Sequence, residues 1–396
     1  MIKFLEGNRV ASTVQFGWLA AVSTGCHPLG VYIHVPFCAS KCPYCNFYSH
    51  PMDTAAADGY VDALCRALAQ HPWGRRAVDT VYFGGGTPCL LGADRLCRLL
   101  AAVNNAFPLA QDAEITLEAN PAALDAADLT ALRQGGFNRV SFGVQSLRDS
   151  ELRALGRRHT ARQAREALCT AHAAGFDNLS LDLMLGVPGQ TRETLAGTLR
   201  EAAELPATHI SAYLLKVEPG TPFYKKYGAP GGGDEELSAA LYLQTVRSLG
   251  ERGFAQYEIS NFAKDGAHSR HNLKYWALNP YLGLGPSAHS FLGGRRFYFP
   301  SDTDAFVAAE NPLALAVDDG PGGGWEEYAM LRLRLCRGLN VRELGRRYAL
   351  DTAPLLRRAR DLAAHGLTQV DPHEVVSLTP EGFLLSTSVT AKLLYG

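Results

Sequence analysis

From residue 31 onward, short apolar runs alternate with amphipathic stretches. The runs at 31–35, 78–83, 114–117, 139–142, 178–185 and 209–214 have the length and composition of strands buried on both faces. Between them, 55–70, 94–107, 125–134, two stretches within 150–174, and 193–204 repeat apolar positions every three or four residues, as helices covering a sheet do. Such alternation predicts an α/β fold with a parallel sheet. Six units predict a partial (β/α)6 barrel, open on one side, with extra strands beyond it. In barrels of this kind the chemistry gathers at the carboxyl ends of the strands.

Two glycine runs divide the remainder. Residues 228–233 form a loop before a helix at 235–252, and 321–324 read as a linker. The segment 325–396 is dominated by helical patterns and predicts a small, mainly helical C-terminal domain; the alternation at 331–335 could be a strand, but its flanks favour helix. The division expected is 1–29 as an N-terminal extension, 30–320 as the barrel, and 325–396 as an accessory domain. An apolar stretch at 10–22 follows Glu6 and Arg9 and contains Gln15, which makes it a poor signal-peptide core.

Composition narrows the function classes. At 396 residues the chain exceeds what one hydrophobic core usually serves. With 47% hydrophobic and 19% charged residues it is globular, and no apolar stretch reaches the roughly 18 residues of an integral membrane segment. A net charge of −1 gives no electrostatic reason for a nucleic-acid partner. Of nine cysteines, six (Cys26, Cys65, Cys89, Cys97, Cys169, Cys336) are scattered, which is no disulfide framework and fits a reducing, cytoplasmic setting.

The other three are not scattered. Cys38, Cys42 and Cys45 stand at i, i+4 and i+7 in one loop, a spacing that can hold three corners of a [4Fe–4S] cube and leave one iron open. The rival is a structural zinc site completed by His34 or His50; zinc knuckles favour separated C-x2-C pairs, and the chain has no second pair. Downstream, residues 84–88 (Gly-Gly-Gly-Thr-Pro) end a strand with backbone a ligand could approach closely, although most glycine-rich turns merely turn. Glu118, Gln145 and Asp182 stand at successive strand ends, where a ribose and an amino acid could be bound; the alternative is a trio of loop-facing polar residues. Arg157 could fork onto a carboxylate.

The C-x3-C-x2-C spacing resembles the radical-SAM signature. There the amino and carboxylate groups of S-adenosylmethionine (SAM) chelate the open iron, and an electron from the cluster cleaves the sulfonium to a 5′-deoxyadenosyl radical. Tyr32-Ile-His34-Val-Pro36-Phe-Cys38, residues 84–88, Leu117-Glu-Ala-Asn-Pro121, Phe142-Gly-Val-Gln145-Ser and Leu181-Asp182-Leu-Met-Leu-Gly186 are similar to the oxygen-independent coproporphyrinogen III oxidase superfamily, from about residue 31 to the C-terminus. By matched position the resemblance implies SAM contacts from Tyr32, Tyr44, Gly85, Gly86, Thr87, Glu118, Gln145, Arg157 and Asp182, cluster ligation by Cys38, Cys42 and Cys45, and a partly winged-helix-like cap in 325–396.

Two features divide that superfamily. The oxidases carry a fourth cysteine where this chain has Phe47, and His271-Asn272-Leu-Lys-Tyr275-Trp276, within 255–290, resembles the H-N-x-x-Y-W haem motif of the HemW-type haem chaperones. An imidazole can ligate haem iron while aromatic rings cover a porphyrin face. A lone histidine among aromatics is more often a hydrogen-bonded core or surface residue, and His268 and His289 are rival ligands. The resemblance implies a haem or porphyrin ligand, a haem-acceptor protein, and a reductant such as flavodoxin or ferredoxin. The leading expectation is a radical-SAM haem chaperone with no catalytic residue assigned. The alternatives are a coproporphyrinogen III oxidase or other porphyrin-modifying enzyme, and a metal-binding scaffold without SAM chemistry.

Overall fold

The computed structural model describes residues 27–52, 54–228 and 235–396; positions 1–26 of the expected extension and 229–233 of the glycine loop lie outside these. The barrel units run β1 (Leu29–Val35), α1 (Thr54–Ala69), β2 (Val78–Gly85), α2 (Ala93–Ala106), β3 (Leu109–Ala119), α3 (Ala126–Gln134), β4 (Arg139–Gln145), α4 (Asp149–Ala154), α5 (Ala161–Ala173), β5 (Asn178–Leu185), α6 (Arg192–Glu204) and β6 (His209–Leu214). Helices α3, α5 and α6 start on capping boxes at Asp125, Thr160 and Thr191, each side chain accepting the backbone N–H three residues on. β3 starts five residues before the expected run because Leu109, opposite Val78, already pairs with β2.

Strands β1 to β6 pair in parallel in chain order. The chain continues through α7 (Pro222–Tyr227), α8 (Glu235–Gly250), β7 (Ala255–Glu258), β8 (Asn261–Ala263), α9 (Arg270–Ala277), β9 (Tyr281–Leu284), β10 (His289–Leu292), β11 (Arg295–Tyr298), α10 (Thr303–Ala308) and β12 (Val317–Pro321). These add strands at both edges, giving the order β12-β11-β10-β9-β1-β2-β3-β4-β5-β6-β8-β7. Only β9 continues the parallel set, beside β1; β10 to β12, and β8 with β7, pair antiparallel.

The expected linker at 321–324 is shorter than read. Pro321 pairs with Arg295 in β12, and Gly322 N donates to Gly294 O at 2.9 Å, so the glycines lie along a sheet edge. The C-terminal segment comprises α11 (Trp325–Arg332), β13 (Leu339–Asn340), α12 (Val341–Tyr348), α13 (Ala353–Ala364), β14 (Thr368–Val370), β15 (Val375–Leu378), α14 (Pro380–Leu384) and α15 (Ser386–Tyr395). It is mainly helical, with a three-stranded antiparallel sheet ordered β13-β15-β14. Of the alternation at 331–335, Leu331 and Arg332 finish α11, while Leu335 bridges Glu258 and ties this segment to β7.

Along each barrel strand one set of alternating positions is apolar and buried: Val31, Ile33 and Val35; Val81 and Phe83; Ile115 and Leu117; Val140 and Phe142; Leu179, Leu181 and Leu183. The other set is polar: Tyr32, His34, Thr80, Tyr82, Glu114, Thr116, Glu118, Arg139, Ser141, Ser180, Asp182, His209 and Ser211. The contacts among these, from Tyr32 against Tyr82 to Ser141 on Asp182, put the polar set inside the barrel. The barrel interior is a hydrogen-bonded polar lattice, and the hydrophobic core lies between sheet and helices.

Candidate functional site at the carboxyl rim

The cysteine loop begins where β1 ends, and pairing with β2 continues into it. Gly86 N donates to Val35 O at 2.8 Å and Thr87 N to Phe37 O at 2.7 Å. Cys38 N donates to His50 O at 3.0 Å, closing the loop on itself, and Cys45 N donates to Cys42 O at 3.0 Å. All three cysteines are free and half-buried. Among the described residues no three His, Cys, Asp or Glu side chains close on a single ion.

The glycine run is also needed by the protein's own packing. A Cβ on Gly85 would lie 2.7 Å from the His34 ring, and one on Gly86 would lie 2.5 Å from the Phe37 carbonyl oxygen. A Cβ on Gly84 would press on Tyr82, Glu118 and Tyr32 at 2.9–3.1 Å. The close approach that needs bare backbone is made by the protein itself: the glycines let the cysteine loop lie across the end of β2. Gly85 also sits at φ +112°, a conformation other residues seldom adopt.

Around the loop stands a connected set of donors and acceptors. The Thr87 hydroxyl donates towards Cys38 Sγ at 3.5 Å and accepts from Asn120 Nδ2 at 3.2 Å. Arg157 donates to Cys42 Sγ at 3.5 Å, to Asn120 Oδ1 at 2.6 Å and to Gly143 O at 2.7 Å, so one guanidinium joins the thiols to β4. Tyr44 packs edge-on against Phe223 at 5.9 Å, and burial pushes its phenol pKa up. Glu118 accepts from Tyr82 Oη at 2.7 Å and from Gly85 N at 3.2 Å. Burial lifts its carboxyl to about 7, opposed by the Tyr82 bond and reinforced by Asp182. Asp182 accepts from Ser141 Oγ at 3.3 Å, and burial raises its pKa too. It lies within β5, three residues before the strand end, not at the end as expected. Gln145 closes β4 at φ +67°. Tyr32 donates to or accepts from His34 Nδ1 at 3.0 Å, and burial holds His34 neutral, its pKa near 4.

The haem-motif residues are elsewhere. Helix α9 enters the amino end of the barrel: Glu114 accepts N–H of Arg270 and His271, each at 3.0 Å, and Ser269 caps the helix. Lys274 Nζ reaches Asp79 at 2.6 Å and Pro28 O at 2.9 Å, through space that only Gly30 leaves open, where a Cβ would meet Lys274 at 2.7 Å. His271 is fully buried. Its Nδ1 is 2.8 Å from Thr80 Oγ1 and its Nε2 is 2.8 Å from Tyr275 Oη. Burial depresses its pKa to about 3, so the ring is neutral. Asn272, Tyr275 and Trp276 are half-buried, Tyr275 standing edge-on to Tyr281 at 4.6 Å. His268 stacks on Tyr257 at 4.2 Å, and His289, at the start of β10, stacks on Tyr298 of β11 at 5.3 Å.

Residues 32–202 match the radical SAM superfamily model, and 324–385 match the HemN C-terminal domain. The chain is 36% identical over 379 residues to the haem chaperone HemW of Mycobacterium tuberculosis, covering 93% of this chain and 95% of that one. It is 35% identical to the haem chaperone HemW of Bacillus subtilis, covering 92% and 98%. This chain belongs to the HemW family. Its fold is that of the Escherichia coli coproporphyrinogen III oxidase HemN, a radical-SAM enzyme, with a TM-score of 0.80 over 96% of this chain and 93% of that one at 23% identity.

Radical-SAM membership implies a [4Fe–4S] cluster and SAM as cofactors, and the rim fits both. Three thiols on one loop, with no fourth cysteine or convergent histidine beside them among the described residues, suit a cube whose thiolates each bind a separate iron. In this HemW-family chain the sequence reading gave no role to Asn120, which joins Thr87 to Arg157. It also missed Tyr82, which holds Glu118. The period-two pattern places Tyr82 on the same face as Gly84, a cue that was available. Arg139, buried with its Nε unpartnered, was read only as part of an apolar strand.

Proposed function

We propose that this chain is a cytoplasmic haem chaperone that holds a [4Fe–4S] cluster through Cys38, Cys42 and Cys45, binds SAM along the rim, binds haem, and passes it to an acceptor protein. The observation that carries the reading is similarity over nearly the whole length of proteins named haem chaperones. Among the described residues no helix is long and apolar enough to cross a membrane.

Tyr32, Tyr44, Gly85, Gly86, Thr87, Glu118, Gln145, Arg157 and Asp182 would form the SAM site. The buried carboxylates Glu118 and Asp182 offer acceptors to the hydroxyl and ammonium groups of the nucleotide, and Arg157, already on Cys42, brings a guanidinium to its carboxylate end. When bound, the cluster supplies a reducing electron, delivered from a partner such as flavodoxin or ferredoxin, and a coordination position for SAM. The chain's own groups orient the nucleotide, and the Thr87 and Arg157 donors polarise the thiols.

The test is anaerobic. The reconstituted protein should bind haem stoichiometrically and release it to a haem-free acceptor, while coproporphyrinogen III supplied with SAM and reductant is returned unchanged. Formation of protoporphyrinogen would overturn the chaperone reading in favour of oxidative decarboxylation.

A further inference from the structure

The H-N-x-x-Y-W segment lies on the barrel floor, and one line of contacts runs from it to the rim. The His271 ring stacks beneath Tyr82 with centroids 5.2 Å apart and planes 28° apart, and beneath Tyr32 at 6.4 Å. Tyr82 Oη donates to Glu118 Oε1, and Glu118 Oε2 accepts from Gly85 N in the glycine run. Tyr32, Tyr82 and Glu118 all converge on the space where Gly84 would carry a Cβ. The imidazole itself cannot turn, because Thr80 holds one nitrogen and Tyr275 the other. Tyr275 is fixed in turn by its edge contact with Tyr281, and α9 by Glu114 and Ser269.

We infer that His271 is a positioning residue of the nucleotide site: its ring seats Tyr82, and Tyr82 sets the Glu118 carboxylate. The inference rests on the reading of Glu118 as a SAM contact. An iron ligand needs a free ring nitrogen with open space for a macrocycle beyond it, and both nitrogens of His271 are engaged inside the barrel lattice. Its ring has a different use: a flat, neutral, hydrogen-bonded platform under two tyrosines that point at the rim.

Four variants of the anaerobically reconstituted full chain decide it, each measured for cluster content, SAM affinity by calorimetry, and haem affinity by titration. Tyr82→Phe keeps the ring and removes only the bond to Glu118, so SAM affinity should fall about tenfold with haem affinity unchanged. His271→Ala should weaken SAM by a similar factor, whereas His271→Phe restores a flat ring under Tyr82 and should stay within about threefold of wild type. Neither should alter haem affinity. Haem affinity lost in both His271 variants with SAM affinity kept would overturn the inference, and so would wild-type SAM affinity in Tyr82→Phe. If His271→Ala loses its cluster through misfolding, Tyr82→Phe and His271→Phe still decide. Glu118→Gln separates the two levels: wild-type SAM affinity there sinks the site reading itself, whereas weakened binding there alongside intact binding in Tyr82→Phe sinks only the role of His271.

Discussion

The two ends of this barrel are built from the same strands and differ in what their polar groups are paired with. At the amino end the partners are all protein: Glu114 is filled by two N–H groups of α9, Lys274 by Asp79 and a carbonyl, His209 by Ser180 and Tyr257. At the carboxyl end three thiols, Glu118, Asp182 and Arg157 are drawn together on one rim, and burial raises the pKa of both carboxyls. Both ends are hydrogen-bonded, and they differ in kind: the amino end is closed over by α9, while the carboxyl end gathers thiols, carboxyls and a guanidinium on one rim. The H-N-x-x-Y-W segment lies at the amino end, with Tyr82 standing between His271 and Glu118.

The largest break in the comparison is at the thiols. Cys38→Ala, Cys42→Ala or Cys45→Ala should each remove the cluster, read as loss of bound iron and sulfide from anaerobic preparations. The ligand-free chain should melt within a few degrees of wild type, because the loop is held by backbone bonds from Val35, Phe37 and His50. A variant that keeps full iron and sulfide would remove that cysteine from the ligand set.

At the other end, Lys274→Met should damage stability and spare the site. The side chain is 4% exposed, and its removal leaves Asp79 with only the longer contact to Arg270 at 3.9 Å. Stranding a buried charge costs about 3 kcal/mol, and with Arg270 still facing Asp79 that is the upper limit here, a fall in the thermal midpoint of at most about 4 °C for a chain of this size. Lys274→Met with Asp79→Asn should recover most of that loss. Cluster content and SAM affinity should stay within about twofold of wild type throughout; a parallel fall in SAM affinity would mean that the whole floor, and not His271 alone, is coupled to the rim.

The same contrast sets what could be read from the sequence. The rim was legible because its strongest elements are local: three cysteines within eight residues, a glycine run, and polar residues near the ends of apolar strands. The barrel was legible because short apolar runs alternate with amphipathic stretches along the chain, and each strand keeps its apolar side towards the helices. The floor was not, because it joins Thr80, Glu114 and His271, which lie up to 191 residues apart and meet only when α9 turns into the barrel. The same holds for Asn120, whose two partners come from separate loops, and for β12, whose glycines look like a linker until a neighbouring strand is beside them.

The smallest expected effect separates the two ends by pH. Burial raises the Glu118 carboxyl from 4.5 to about 7, against the Tyr82 and Gly85 bonds, with Asp182 adding to the rise and Arg139 opposing it. A raised carboxyl contributes stability that is fully present below its unfolded value and is lost as pH climbs through its folded one. Ligand-free stability should therefore decline between about pH 4.5 and 7 from this group, and likewise from Glu258, also held near 7 by burial. SAM binding should run the opposite way, because hydroxyl and cationic groups of the nucleotide prefer the ionised carboxylate. Its affinity should rise between pH 6 and 8 by at most about tenfold, the change in ionised fraction around a pKa near 7. Calorimetric titration at pH 6, 7 and 8 reads the slope directly, and Glu118→Gln should flatten it while leaving the Glu258 part of the stability profile in place. A SAM affinity that falls with rising pH in the wild-type protein would mean that the nucleotide meets Glu118 as a neutral acid, and that the ribose is held from another strand.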